Sequence, residues 1–374
     1  MPRSTRGRPA IVGLTMLALA AGPFAITATS SFAMSQSPSA CPATKLPVHP
    51  AMPANSPPKM VMASQVAPSD TTTSIVITPD PRDQIRCGEV ALVRFDDVVY
   101  SAPKKPDGAE RPLALDILRP KEGGPRPLVV YIPGGGFIFA QKEGALDLRT
   151  YVAEAGFVVA SIQYRTALDG ATYRDGVADV KSAIRYLRSH ADQYGIDPAR
   201  VAVWGESAGG YLAAMAGVTG DDRSFDTGGD LVQSSAVQAV VDKFGPSDLS
   251  RIAADFDTAA QEAYAGPNPI GLYVGGFTPA GMTDSRANPL THVQRSVPPF
   301  LIFSGSQDRM VSPSQTLLLH SALLAAGASS TRYVLQGAGH GDLAFLGDAQ
   351  SGLVWSSKPS MDIIVEFLRH SLER

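Results

Sequence analysis

Val201-Ala-Val-Trp204-Gly205-Glu206-Ser207-Ala208-Gly209-Gly210-Tyr211-Leu-Ala-Ala-Met215 decides how this chain is read. Its first four residues are apolar throughout, as in a strand buried on both faces of a parallel sheet, and Tyr211 onward reads as helix. Glycines two before and two after Ser207 let the strand turn sharply into that helix. Ser207 then stands on a strained tip above the helix N-terminus, where an exposed nucleophile belongs. A Gly-x-Ser-x-Gly string arises easily by chance in a chain with 35 glycines, so its flanks carry the argument.

The same alternation runs outward in both directions. Leu128–Ile132, Phe157–Ile162, Ala236–Val241, Phe300–Phe303 and Thr331–Leu335 read as further buried strands. Between them Val177, Val180, Ile184 and Leu187 recur at helical spacing, as do Leu318, Leu319, Ala322, Leu323 and Ala326. Ile363, Ile364, Phe367 and Leu368 mark a C-terminal helix, while 89–100 and Leu113–Leu118 suit antiparallel strands at the sheet's start. The pattern predicts an α/β fold: a doubly wound, mostly parallel sheet with helices on both faces.

Sites in such sheets lie beyond the carboxyl ends of the strands. A serine hydroxyl needs a base at neutral pH. Of six histidines, His49 falls in a proline-rich stretch, and His190, His320 and His370 fall on helices, where a solvated position is the simpler reading. His340, in Gly337-Ala-Gly-His-Gly341 after the last strand, is the favoured base, with His292 as the alternative. The carboxylate that orients the imidazole is expected between serine and histidine in chain order. Asp308, after Phe300–Phe303, fits; Asp248 also follows a strand but suits a turn or helix cap, and Asp342 lies beyond His340. The amides of Gly135 and Gly136, in Pro133-Gly-Gly-Gly-Phe137, together with that of Ala208, are candidate donors to a developing oxyanion. No Gly-Lys-Ser/Thr ending follows these glycines, which excludes a phosphate loop.

Composition narrows the class. The chain has 374 residues, 44% of them hydrophobic, and 32 Lys and Arg against 35 Asp and Glu, a net charge of −3. That is ample core material and no basic excess, so no nucleic-acid partner is expected. Two cysteines cannot build a zinc site, and no metal or organic cofactor is implied. Arg3, Arg6 and Arg8 precede an apolar run from Ile11 to Ala28, and small residues surround Ala33. Residues 1–33 therefore read as a cleaved secretory signal, leaving no stable membrane anchor and a secreted or periplasmic product. Attachment of lipid at Cys41 is excluded, because Pro38 stands where a leucine-like residue is needed. Prolines at 38, 42, 47, 50, 53, 57, 58 and 68 make 34–74 a linker and 75–374 the folded domain. Outside the cytoplasm Cys41 and Cys87 could pair, and the spacing leaves paired and free states open. Segment 249–296 is too long for a plain connection; with Tyr273 and Phe277 it is expected to form a lid over the substrate pocket, with a purely structural excursion as the alternative.

Taken together, these residues resemble the alpha/beta-hydrolase superfamily, and within it bacterial esterases of the BD-FAE-like and hormone-sensitive-lipase-like groups. The pieces that match are Leu115-Asp-Ile-Leu-Arg-Pro120, the triple glycine, Tyr164-Arg165, Gly195-Ile-Asp-Pro-Ala-Arg200, Gly205–Gly210, Asn288-Pro-Leu290, Pro298-Pro299, Gly305–Asp308 and Gly339-His340. The lipase-like motif has His before its glycines, where this chain has Pro133. The resemblance implies a triad of Ser207, Asp308 and His340, with oxyanion donors Gly135, Gly136 and Ala208. It implies hydrolysis of carboxylic esters through an acyl-enzyme, on a small-molecule or polysaccharide-linked substrate. The same triad serves amidases, arylformamidases and peptidases, and the fold also occurs in non-catalytic binding proteins.

Overall fold

The computed structural model describes residues 39–42, 61–220, 222–266, 269–274, 277–278, 281–282, 284–341 and 350–373. The expected signal, 1–33, and Asp342 lie outside the described residues. Short strands β1 (Ser39–Ala40), β2 (Ile75–Ile77) and β3 (Arg86–Cys87) come first, followed by β4 (Leu92–Ser101) and β5 (Leu113–Pro120). The runs of apolar residues then form β6 (Arg126–Ile132), β7 (Val158–Ile162), β8 (Ile196–Glu206) and β9 (Ala239–Lys243). Strands β10 (Phe277–Thr278) and β11 (Gly281–Met282) make a separate pair, and β12 (Phe300–Gly305) and β13 (Ser330–Leu335) complete the main sheet. Its nine strands lie in the order β2-β13-β12-β9-β8-β6-β7-β5-β4. Only the pairs made by β5, with β4 and with β7, are antiparallel.

Helices cover both faces because the central strands are apolar on both. On β6, Leu128, Val130 and Ile132 join a core with α2 (Tyr173–Ser189), α4 (Ala208–Thr219) and α7 (Ser314–Ala325). The alternate residues Val129 and Tyr131 join the other core, with α1 (Leu146–Glu154) and α9 (Lys358–Leu372). The remaining helices are short: α3 (Ala191–Tyr194), α5 (Thr258–Ala265), α6 (Pro269–Tyr273) and α8 (Gln350–Leu353). The period-2 alternation of a strand thus divides one sheet between two cores. The fold is that of an α/β hydrolase.

Two sequence expectations need correction. Residues 61–74 are not a linker: Ala63 is fully buried and donates its N–H to Arg309 O at 2.9 Å, and Val66 bridges Phe256. The buried Arg332 guanidinium donates to Ser74 Oγ at 2.8 Å. His320, expected in solvent, is buried; its ring nitrogens meet Ser330 Oγ at 2.8 Å and Thr73 O at 3.0 Å. The attachment combines backbone and side-chain hydrogen bonds with three isolated apolar contacts, Val61, Ala63 and Val66, whose spacing forms no helical or strand period.

Cys41 and Cys87 form a disulfide, and β1 pairs antiparallel with β3 around it. The loop-entropy estimate for a bridge spanning 46 positions is about 4 kcal/mol. Replacing both cysteines by serine should lower the unfolding free energy by up to that amount in urea titration. Titration of the denatured, unreduced protein with a thiol reagent should find no free thiol; two reactive thiols would exclude the bridge.

Asp242 is buried beneath the first turn of α4, and its Oδ1 accepts the Gly245 N–H at 2.9 Å. Added Cβ atoms at Gly210 and Gly245 would stand 2.4 and 2.5 Å from that oxygen, so both glycines make its room. Burial, only partly offset by the Gly245 hydrogen bond, pushes the carboxyl from 3.8 up to about 7. Below pH 4 both folded and unfolded chains carry the proton and ionisation costs nothing. From there the penalty grows until about pH 7 and is constant above it, at roughly 4 kcal/mol. Asp242→Asn should therefore raise Tm at pH 8, with the gain vanishing toward pH 4; an equal gain at both would exclude this ionisation.

Candidate active site

Four loops meet at the carboxyl end of the sheet. At the end of β8 Ser207 adopts φ 55° and ψ −122°, a backbone region rare for a residue with a side chain. The neighbouring glycines make it attainable. A Cβ on Gly205 would sit 2.0 Å from Gly209 O, and one on Gly209 would sit 2.0 Å from Ile132 O, so neither position admits a side chain. Ser207 N–H donates to Lys243 O at 2.9 Å, which ties the tip to β9.

His340, in the loop after β13, has Nε2 at 2.8 Å from Ser207 Oγ and Nδ1 at 2.7 Å from Asp308 Oδ2. The imidazole and the carboxylate are almost entirely buried. Asp308, in the turn after β12, is fixed by its other oxygen, which accepts the N–H groups of Met310 and Val311 at 2.9 and 3.0 Å. The predicted trio is thus brought into a single hydrogen-bonded row. The two alternatives stand apart: Asp248 caps the turn Leu249–Arg251 by accepting Ser250 N–H, and His292 Nε2 faces Arg286 O.

The glycine loop after β6 passes directly against Ser207. A Cβ at Gly134 would come within 2.9 Å of Glu206 O and 3.2 Å of Ser207 Cβ. Gly135 and Gly136 have φ of 145° and 60°, and beyond Gly136 the space is open. Ala208 is the first residue of α4, so its amide has no partner within the helix. Among the described residues the N–H groups of Gly135, Gly136 and Ala208 donate to no protein acceptor. They are free to serve an anionic oxygen at the head of a helix dipole.

Three supporting side chains were not assigned a role from sequence. Tyr164 hydroxyl donates to Pro133 O at 2.9 Å and steadies the glycine loop. Phe244, held at φ 47°, packs its ring 4.7 Å from that of His340. Trp355 packs on Phe244 at 4.7 Å and donates its indole N–H to Gly339 O at 3.2 Å. Tyr164-Arg165 carried a signal, as a polar pair at a strand end. Nothing local marks Phe244 or Trp355, which meet each other only across 111 positions of chain. Tyr273 of the expected lid is fully buried and stacks on Phe137 at 4.6 Å, and the side chain of Phe277 lies outside the described residues.

Comparison with known proteins agrees with this architecture. A family model described as BD-FAE matches residues 115–323, more than half of the chain. The chain is 32% identical over 206 residues to the probable carboxylic ester hydrolase LipM of Mycobacterium tuberculosis, covering 54% of this chain and 46% of that protein. It spans about half the length of the curated relatives it matches. Among solved structures, a truncated carbohydrate esterase from gut microbiota is similar, with a TM-score of 0.60, 26% identity, and coverage of 80% of this chain and all of that one. Esterase 2 of Thermogutta terrifontis follows, with a TM-score of 0.57, 25% identity, and coverage of 78% of this chain and 94% of that one. With the elbow, the sheet order and the matched span in agreement, the chain belongs to the BD-FAE family of α/β hydrolases.

Proposed function

We propose that the protein hydrolyses carboxylic esters through an acyl-enzyme on Ser207. The observation that carries this reading is the hydrogen-bonded row Asp308–His340–Ser207, with contacts of 2.7 and 2.8 Å. Ser207 Oγ attacks the ester carbonyl carbon while His340 Nε2 accepts the hydroxyl proton. The carbonyl electrons move to oxygen, where the amides of Gly135, Gly136 and Ala208 donate to the resulting anion. Collapse expels the alcohol, which takes the proton back from His340. Water, deprotonated by the same imidazole, then attacks the acyl carbon, releases the acid and restores Ser207. Asp308 holds Nδ1 as the protonated nitrogen and stabilises the imidazolium formed in each half.

Similarity to a probable carboxylic ester hydrolase and two esterases supports the reaction class. A small-molecule or polysaccharide-linked ester is the substrate class we favour, and the lid role of 249–296 is part of the same reading. The disulfide supports an oxidising compartment, consistent with export. Among the described residues no helix is long and apolar enough to cross a membrane.

Ser207→Ala should lower kcat on an aryl acetate by about four orders of magnitude or more while KM changes little. A matched ester and anilide pair, measured beside acetylated xylan and methyl ferulate, assigns the bond cleaved. Near-normal turnover in Ser207→Ala would refute the mechanism, and a faster anilide would move the protein to the amidases.

A further inference from the structure

Next to the nucleophile lies a buried ion pair that no step of the proposed reaction uses. Lys243 Nζ is bonded to Glu206 Oε1, and the Lys243 side chain is only 2% exposed against 14% for Glu206. These residues are paired in register on β8 and β9, and Lys243 also accepts the Ser207 N–H with its backbone carbonyl. One lysine therefore grips the elbow twice, once through each neighbour of the Glu206–Ser207 peptide.

The ammonium also faces three rings, 5.9 Å from the centre of Trp204, 5.7 Å from Phe244 and 5.2 Å from Trp355. Two of those rings support His340: Phe244 packs on the imidazole, and Trp355 bonds the backbone beside it. A Cβ at Gly341 would meet Phe244 Cζ at 2.7 Å, so this packing leaves no slack. The ammonium and the imidazole are separated by one aromatic ring, within about a Debye length at ordinary ionic strength.

Resting on the esterase reading above, the geometry points to Lys243 and Glu206 as a coupled pair of positioning residues. Lys243 fixes the elbow under Ser207, and the two charges cancel so that His340 experiences neither alone. The other charged groups around this cluster, among the described residues, are Asp308 on the imidazole, Asp147 in the first turn of α1, which feels both Glu206 and Lys243, and Asp242, beside Lys243 on β9 with its carboxyl buried beneath α4. All three remain unchanged in the variants below, so their own titration is common to every curve.

The test is the pH dependence of Ser207 inactivation by diethyl p-nitrophenyl phosphate, which needs no natural substrate. Its acid limb reports the imidazole that must be neutral to activate the serine. Lys243→Met leaves the Glu206 carboxylate uncompensated, favours imidazolium, and should move the limb upward by about half a pH unit or more. Glu206→Gln leaves the ammonium unbalanced and should move it downward by a similar amount. The double variant should return to the wild-type limb, and Lys243→Arg should stay on it. Opposite shifts with recovery in the double variant support the pair; coincident limbs, or shifts of the same sign, overturn it. Glu206→Gln is nearly isosteric and carries the test alone if Lys243→Met does not fold. If wild-type Ser207 is not labelled at all, the esterase reading fails instead, so the two failures are distinct.

Discussion

The steric exclusion of side chains at Gly205 and Gly209 is the constraint from which the rest of the site follows. A residue at φ 55° is strained by roughly 1–3 kcal/mol, and it persists only where its surroundings leave no alternative. Here the alternative is closed from both sides. The helix that follows Ser207 is pressed onto β6 so closely that a methyl group at Gly209 would occupy the Ile132 carbonyl. That same closeness brings the glycine loop after β6 against the serine. Ser207 and the amides of Gly135, Gly136 and Ala208 are therefore brought together by a single packing event.

The other two members of the row depend on the sheet. Strands β8, β9, β12 and β13 are neighbours and run parallel, so their carboxyl ends lie side by side. A serine, a carboxylate and an imidazole separated by 101 and then 32 positions thus need only short turns to meet. Asp308 is anchored by two backbone amides of its own turn, and His340 by the Phe244–Trp355 packing beneath it. Backbone and aromatic contacts of this kind leave little to reorganise when charge develops.

This division explains what could be read from the sequence. Apolar runs at Leu128–Ile132, Val201–Trp204 and Phe300–Phe303 are local signals of buried parallel strands, and motifs at their ends mark Ser207, Asp308 and the glycine loop. A glycine loop after the last strand was the signal that preferred His340 over His292. What escaped was long-range and polar. Residues 61–74 are held by hydrogen bonds to Arg309, Asp257 and Arg332, contacts that leave prolines and serines looking like linker. His320 lies on a helical face that gave no warning of its two buried partners. Lys243 and Glu206 were given no part from sequence, because only the register of β8 and β9 sets them opposite each other.

The substitution of Pro133 for the more usual histidine can be understood in the same terms. Proline lacks an N–H and fixes its own φ, so it enters the glycine loop with less freedom than any other residue. Its carbonyl is held by the Tyr164 hydroxyl, itself anchored beside Arg165, whose guanidinium is bonded to the buried Asp179 of α2. Rigidity upstream of the loop is thus supplied by ring geometry and a tyrosine rather than by an imidazole. Gly134 then lies against Ser207 and Gly136 opens into free space. A loop built this way holds the amides of Gly135 and Gly136 in place without any side chain of their own, and the space beyond Gly136 stays open.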